Sequence, residues 1–429
     1  MFSFFEKLIK PFPSKEPDQP PKGVFAFCRH YSRGIEVPLL LMAILTATLA
    51  MLEVSLFSFM GELVEWLATK DKETFWAEEK GTLITMGIIV LIVLPSLVLL
   101  HAAIVHQTLL SNYPMVIRWL AHRYLLKQSL GFYQDEFAGR IATKVMQTSL
   151  AVRETVMKLL DVMVYVVVYF LSMLFIIAQA DVRLMVPLLI WLIMYIVLQY
   201  YFVPKLKAVS TVQADARSTM TGRIVDSYSN IATVKLFSHT QREADYAQQG
   251  MQGFLSTVYQ QMRLATGLNV SIQGLNYLLV FAIGALSIFL WQESAIGIGA
   301  ITIAITLALR LNGMAQWIMW EVSALFENIG TVVDGMKTLS QPLQVTDEEG
   351  ALPLVVEHGD IEFCKMNFSY AMADKQGVIS QKRIIKDLNL NIKAGEKVGL
   401  VGRSGAGKST LVNALMRFYD LESGSVKID

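Results

Sequence analysis

Six long apolar stretches dominate the hydrophobic pattern of this chain. A helix needs about 20 apolar residues to cross roughly 30 Å of hydrocarbon. Backbone N–H and C=O groups in lipid must pair within their own segment, which favours helices over other structures. The pattern therefore predicts six membrane helices, at about 37–63, 82–110, 161–181, 183–205, 268–291 and 295–326.

Two connections between these stretches, 111–158 and 204–267, are long and carry many Lys and Arg residues. They hold apolar residues at helical spacing and little Gly or Pro, so we expect helical extensions of the membrane helices. A break is expected at 131–139 and a turn near 228–231. The excess of basic residues places both segments and both termini in the cytoplasm, and predicts a multi-pass membrane protein.

Composition limits the remaining possibilities. The chain is 54% hydrophobic and 17% charged, with a net charge of +1. Such a balance predicts no nucleic-acid partner, because a phosphate-binding surface should be visibly basic. Cys28 and Cys364 fit no metal-ligand spacing, and no disulfide is expected. Pro95 is expected to kink the second span.

The pattern divides the chain into four parts. Residues 1–35 are interpreted as a cytoplasmic tail with a short interfacial helix at 24–33, a flexible lead-in being the alternative. Residues 36–330 form the six-helix membrane domain, and 331–358 a linker rich in turn residues. In 359–429, strands are predicted at 359–370, 384–392, 397–401 and 425–428 and a helix at 408–418. The fold class is thus a polytopic α-helical membrane domain followed by the first part of an α/β P-loop domain.

The octet at 402–409 reads Gly-Arg-Ser-Gly-Ala-Gly-Lys-Ser, which fits the phosphate-binding pattern G-x-x-x-x-G-K-[ST]. The predicted strand before it and helix after it make a chance match a poor alternative. Backbone N–H groups of 404–409 and the helix N-terminus would cradle phosphates, and Lys408 would reach the β- and γ-phosphates. The Ser409 hydroxyl would hold Mg²⁺. The ATP-binding candidates in this loop are Gly402, Arg403, Ser404, Gly405, Ala406, Gly407, Lys408, Ser409 and Thr410.

The chain resembles a bacterial ABC exporter half-transporter, the class that includes the lipid A flippase and many multidrug exporters. The resemblance rests on the six spans, the P-loop, the Phe-Ser-Tyr tract at 368–370, the residues flanking the P-loop at 385–396 and 417–424, and two coupling regions at 132–141 and 231–237. It implies that Tyr370 stacks on adenine. It also implies a dimer, most simply a homodimer, that exports or flips a lipid or an amphipathic, drug-like substrate on binding and hydrolysing ATP with Mg²⁺.

The sequence departs from this family in two ways. The stretch 371–383 is longer than usual between the adenine-stacking Tyr and the next strand. The LSGGQ signature, the Gln that senses Mg²⁺, the Walker B Asp and Glu, and the switch His are not found in 1–429. This chain alone is therefore expected to hold no catalytic residue and not to hydrolyse ATP. It is interpreted as a fragment of a transporter or, alternatively, a non-hydrolysing subunit that regulates a full-length partner. A membrane-anchored P-loop kinase or GTPase is the third reading.

Ionisable residues inside membrane spans are costly and suggest function. Arg310 and Glu53 are the main candidates for a substrate cavity. Arg310 is expected either to meet an anionic substrate group or to pair with Glu53. Trp317 is a candidate for stacking on a substrate, or else an interface anchor. Gln273 and Asn276 could face the same cavity or serve helix packing. His101 is expected to be held by neighbouring helices rather than to relay protons.

Overall fold

The computed structural model describes residues 2–135, 138–348, 350–373 and 379–429. Within these ranges, helices occupy the chain up to residue 339, and strands occur only after it. The helices are α1 (Phe2–Glu6), α2 (Val24–Tyr31), α3 (Glu36–Thr69), α4 (Phe75–Ile88), α5 (Leu94–Ala102), α6 (Ser111–Leu125), α7 (Leu130–Asp135), α8 (Ala138–Met157), α9 (Met163–Ala180), α10 (Met185–Ser229), α11 (Ile231–Leu236), α12 (Thr240–Gln292), α13 (Ile298–Leu339) and α14 (Lys408–Leu415). The strands are β1 (Ile361–Ala373), β2 (Ile379–Ile392) and β3 (Ser423–Ile428).

Within the described ranges, six continuous helical stretches are long and apolar enough to cross a membrane, which confirms the six predicted spans. Most are more than twice the length that hydrocarbon requires, so their ends project beyond it. The predicted helical extensions, the break at α7 and the turn at Asn230 between α10 and α11 are all present. Residues 136 and 137 of the predicted break lie outside the described residues. The six stretches are Glu36–Thr69, Phe75–Leu125, Gly139–Ala180, Val182–Ser229, Thr240–Gln292 and Ile298–Leu339.

Two of these spans contain π-helical turns. One, Ile89–Val93, lies directly before Pro95 in the second span, where the sequence predicts a kink. The same span has a second π-helical segment at Ala103–Leu110, and Lys158–Val162 is π-helical at the start of α9. Each added residue rotates the side chains that follow it about the helix axis, and such turns are common at functional sites.

By its internal contacts the described chain forms two units. The first comprises 2–6, 36–109 and 154–328, and its core consists of apolar side chains from α3, α9, α10, α12 and α13. Asn276 is buried in this core, where its side-chain oxygen accepts a hydrogen bond from Trp191 and its amide donates to Asn312. The polarity of Asn276 thus serves helix packing.

Small residues let α3 and α13 approach closely in this unit. A Cβ added at Gly299 would lie 3.0 Å from Glu65 Cβ and still closer to the Gly61 carbonyl oxygen. The Gly299 N–H donates to the Glu65 carboxylate at 2.7 Å. This carboxylate satisfies a backbone donor in the first turn of α13, where the helix dipole favours negative charge.

The second unit comprises 7–35, 110–153 and 329–429. Its N-terminal residues are held by side chains of α6. Trp119 donates to the Pro13 carbonyl, and Arg123 donates to the carbonyls of residues 13–15, with the closest distance, 2.8 Å, to Lys15. The helix predicted at 24–33 is present as α2, with Phe27 and Tyr31 buried. This tail is therefore a docked segment rather than a flexible lead-in.

The three strands of the second unit form an antiparallel sheet in the order β2-β1-β3. Ile361 pairs with Ile392 on one side and Ile428 on the other. The stretch 371–383, predicted as a long connection, is instead largely strand in its described part, and residues 374–378 lie outside the described residues.

The predicted strand at 397–401 is wrong for this structure: these residues belong to no strand. Both edges of β1 are already taken, and in the described part of the chain the segment pairs with neither β2 nor β3. The Val401 side chain is 98% exposed. An apolar strand of this kind needs neighbours on both edges to satisfy its backbone and cover its side chains.

Candidate nucleotide site and membrane cavity

Two glycines in the loop at 402–409 adopt the left-handed backbone conformation. Gly405 has φ +82° and Gly407 has φ +86°, a region that side chains rarely adopt. A Cβ added at Gly407 would lie 3.0 Å from Ile384 Cγ2 of β2, so the loop also packs too closely on the sheet for a larger residue. Glycine is required at 407 for both reasons.

The side chain of Lys408 bonds to the backbone of its own loop. Lys408 Nζ donates to the carbonyls of Gly402 at 2.8 Å and Arg403 at 2.9 Å. Helix α14 begins at Lys408, so the ammonium group and the positive end of the helix dipole lie at the same turn. These two carbonyls accept from the ammonium group that a phosphate would contact.

The next two residues, Ser409 and Thr410, differ in solvent exposure. Ser409 is exposed, whereas Thr410 lies on the buried face of α14. The exposed hydroxyl is a hard oxygen donor of the kind that Mg²⁺ prefers beside nucleotide phosphates. The loop geometry and this donor fit a magnesium–nucleotide complex, with Thr410 anchoring the helix to the core.

Tyr370 lies on β1 and belongs to the same core as α14. Its ring packs edge-on against Phe368 at 4.9 Å and Tyr419 at 5.4 Å. Phe368 and Ala414 of α14 are buried members of that core. The aromatic residue predicted to meet adenine is therefore fixed relative to the helix that follows the P-loop.

Tyr419 extends this cluster toward the predicted first coupling region. Its hydroxyl donates to Gln134 of α7 at 2.7 Å, and a Cβ at Gly131 would lie 3.3 Å from its ring. The Ser129 hydroxyl donates to Gln344 at 2.6 Å close by. The tract around Tyr419 resembles the family in sequence, but the sequence predicted no contact for the Tyr419 side chain.

The first unit contains a cavity of about 620 Å³ between the spanning helices. Glu53, Arg310 and Trp317, the three residues predicted for a substrate cavity, all line it. Gln273 and Asn276 are not among the described residues that do. The full lining is Thr46, Leu49, Glu53, Leu56, Leu94, Val98, His101, Asp161, Val162, Tyr165, Arg310, Gly313, Met314 and Trp317.

Arg310 is paired within this cavity. Its Nη2 lies 2.5 Å from Glu53 Oε1, and the Tyr165 hydroxyl donates to Glu53 Oε2 at 2.5 Å. Trp317 packs edge-on against Tyr165, with ring centroids 5.9 Å apart. Of the two expectations for Arg310, the structure shows the ion pair with Glu53.

A second polar group lines the cavity, and sequence analysis missed it. The Thr46 hydroxyl donates to Asp161 Oδ1, and His101 Nε2 lies 3.0 Å from Thr46 Oγ1 and 3.2 Å from Asp161 Oδ1. His101 is thus held by two neighbouring helical segments, as predicted. The available signal was Asp161 itself, a carboxylate at the edge of an otherwise charge-free span.

Comparison with known proteins agrees with this architecture. The family model described as "ABC transporter transmembrane region" matches residues 39–314, and the model described as "ABC transporter" matches 385–429. A bacterial Atm1-family ABC exporter with ATP bound has a similar fold, with a TM-score of 0.67 over 93% of this chain and 68% of that structure, at 18% identity.

Two relatives extend the comparison. An uncharacterized ABC transporter ATP-binding protein of Haemophilus influenzae is 47% identical over all of this chain and 68% of its own length. A putative multidrug export ATP-binding/permease protein of Staphylococcus aureus is 25% identical over 73% of this chain and 53% of its own length. The chain thus spans about two thirds of the first relative and about half of the second.

These matches cover the membrane domain and the P-loop region, and they agree with the six spans and with the loop geometry at Lys408. The chain therefore belongs to the ABC transporter family, as a half-transporter of the exporter type.

Proposed function

We propose that this protein exports an amphipathic substrate, a lipid or a drug-like molecule, across the inner membrane at the expense of ATP. The observation that carries the proposal is the P-loop closed around Lys408, on the same chain as six spanning helices. The family membership supports ATP as the energy source. The basic segments 111–158 and 204–267 support cytoplasmic termini.

The residues of the loop have distinct roles in this proposal. Phosphates would displace the Gly402 and Arg403 carbonyls from Lys408, and Tyr370 would stack on adenine. The Ser409 hydroxyl would hold Mg²⁺, which neutralises charge on the β- and γ-phosphates when bound. The remaining residues would shape or anchor the loop around the phosphates; they are Gly402, Ser404, Gly405, Ala406, Gly407 and Thr410.

A second half-transporter would complete the working unit, most simply a second copy of this chain. Family members place two ATP sites at the interface of two nucleotide-binding domains, and each site uses the P-loop of one domain and the LSGGQ signature of the other. One chain contributes one P-loop, at 402–409. A dimer is therefore needed for two sites.

Nucleotide binding tests the first step. The purified protein is photolabelled with 8-azido-ATP and Mg²⁺, in the native form and as Lys408→Ala. We expect labelling of the variant to fall by about tenfold or more, because a charge-assisted contact to phosphate is lost. Lys393→Ala, which changes an exposed lysine of the same region, is the matched control. Equal labelling of native protein and Lys408→Ala would refute ATP binding at this loop.

Transport tests the second step. Inverted membrane vesicles containing the protein encoded by the complete reading frame are supplied with ATP, and uptake of a fluorescent amphipathic dye is followed. We expect uptake that vanadate abolishes and that Lys408→Ala lacks. Nucleotide binding without any such uptake would instead favour a regulatory subunit.

A further inference from the structure

The charges that line the membrane cavity do not cancel. Glu53 and Arg310 form one ion pair, which is neutral as a whole. Asp161 is a second carboxylate, and its partners there are a hydroxyl and an imidazole. The lining thus holds two carboxylates, Glu53 and Asp161, and one guanidinium, Arg310.

The two carboxylates differ in how many of their oxygens are engaged. Both oxygens of Glu53 are bonded, one to Arg310 and the other to Tyr165. Thr46 and His101 both bond to Oδ1 of Asp161, and among the described residues none bonds to Oδ2. The Asp161 side chain lines the cavity and is 27% exposed, so its carboxylate is not closed off by the surrounding helices. Asp161 therefore has acceptor capacity that Glu53 lacks.

The backbone around this group supports a role beyond packing. Asp161 lies within the π-helical turn Lys158–Val162, and His101 lies two residues before the π-helical segment Ala103–Leu110. π-helical turns are rare and are frequently found at functional sites. Within or next to these turns, side chains of the second and third spans meet Thr46 of the first.

The rest of the lining is suited to an apolar body. Six lining residues have aliphatic or Met side chains, and Trp317 and Tyr165 add aromatic surface. Aromatic faces attract cations, and more strongly when water is excluded. A volume of about 620 Å³ lies within the usual range for a small-molecule site.

We propose that this cavity binds lipophilic monocations and that Asp161 is the residue that receives their positive charge. Thr46 and His101 are positioning residues, which hold Oδ1 and turn Oδ2 toward the cavity. Arg310, neutralised by Glu53, is not a receptor for anionic groups. The inference rests on the proposed function in so far as the cavity is the exporter's substrate site.

A pair of ions with matched shape and opposite charge tests the proposal. Binding of tetraphenylphosphonium and tetraphenylborate to the purified protein is measured by equilibrium dialysis without nucleotide, at about pH 8, where an ordinary imidazole is neutral. We expect the cation to bind more tightly than the anion. In Asp161→Asn, cation affinity should fall by about tenfold or more, because one unit charge in a poorly solvated site is lost.

Four further variants extend the test. Glu321→Gln removes a carboxylate that pairs with Lys158 outside the lining, and cation binding should be unchanged. Glu53→Gln leaves Arg310 without its partner, so anion binding should rise and cation binding fall. Thr46→Val should weaken cation binding and Thr46→Ser should restore it, a rescue that simple loss of packing would not show. Size-exclusion profiles establish that each variant is folded.

Any of three results would overturn the proposal: equal affinity for both ions, binding of neither ion, or cation binding that Asp161→Asn leaves unchanged. Transport in inverted vesicles separates it from the proposed function. Cation binding that depends on Asp161, with no ATP-driven uptake, would refute export and leave the cation site in place. ATP-driven uptake that ignores Asp161→Asn would refute the cation site and leave export in place.

Discussion

The Tyr419 hydroxyl donates a hydrogen bond to Gln134 at 2.7 Å. Gln134 lies on α7, the short helix in the predicted first coupling region, and the Tyr419 ring packs against Tyr370 at 5.4 Å. A continuous chain of contacts therefore joins the predicted adenine-stacking residue to a segment that continues into spanning helices. We expect these contacts to couple nucleotide binding to the segment that contains α7.

Tyr419→Phe should loosen this coupling while nucleotide binding is retained, because the ring stays and one hydrogen bond, worth about 1 kcal/mol, is lost. We expect the number of substrate molecules moved per ATP to fall by a few fold. The measurement is uptake and phosphate release in the same proteoliposomes, prepared with the protein encoded by the complete reading frame. Tyr133→Phe removes a hydroxyl that donates to Leu125 within the same segment, and it should leave the ratio unchanged. An equal effect of both variants would contradict this coupling.

Removing one partner of the Glu53–Arg310 ion pair should destabilise the protein more than replacing both partners with apolar residues. The two side chains are 34% and 43% exposed, so water screens part of the charge. Arg310→Ala is expected to destabilise the protein by about 1–3 kcal/mol, since Glu53 then remains unpaired among apolar helices. The double variant Glu53→Leu with Arg310→Met should recover most of the loss. Thermal unfolding followed by tryptophan fluorescence checks this, and a double variant no better than the single one would contradict it.

The N-terminal tail should be released by a single substitution on α6. Arg123→Ala removes three hydrogen bonds to the carbonyls of 13–15, and we expect limited proteolysis within 7–23 to become several times faster. Lys127→Ala removes only an exposed ion pair with Glu16, which is worth little, and should barely change the rate. Equal rates for the two variants would show that the tail is held by something else.

The close approach of α3 and α13 should make Gly299 sensitive to the smallest side chain. Gly299→Ala would press a methyl group on the Gly61 carbonyl and on Glu65, so the helices must separate. We expect a lower melting temperature and a broader size-exclusion profile. Gly284→Ala on α12 is the matched control, because nothing lies within 4 Å of the Cβ it adds. A stabilising effect of Gly299→Ala would contradict the observed crossing.

Asp429 should make the segment before β1 sensitive to acid. Backbone N–H groups, that of His358 foremost and then those of Gly359, Glu357 and Asp360, lower the pKa of the Asp429 carboxyl from 3.8 to about 2. Because the folded pKa is depressed, the stabilisation is complete above the unfolded pKa of 3.8 and is lost as pH falls through about 2.

Asp429→Asn should therefore weaken amide protection at 357–360 at neutral pH. It should also remove the acid dependence that the native protein shows in that segment. Hydrogen exchange, corrected for the intrinsic effect of pH, measures both. Equal protection in the native protein and in Asp429→Asn at neutral pH would contradict the carboxylate's role.

The sequence by itself determined the features that depend on neighbours along the chain. Six apolar stretches had to be helices because lipid offers the backbone no other partners, and 402–409 had to be a phosphate loop because of its glycines and flanking elements. The interruptions near Pro95 and Asn230 were also foreseeable, since proline and turn residues act locally.

Only the tertiary structure decided which polar residues meet. Asp161, His101 and Thr46 lie on three different spans, and their encounter depends on how each helix is rotated about its axis. A π-turn of one extra residue changes that rotation and leaves little trace in the hydrophobic pattern. Tertiary structure also decided that Asn276 packs inside the core. The apolar residues at 397–401 indicate a strand, but a strand needs neighbours that this segment cannot supply by itself. Local chemistry sets the elements, and the packing of distant elements sets the site.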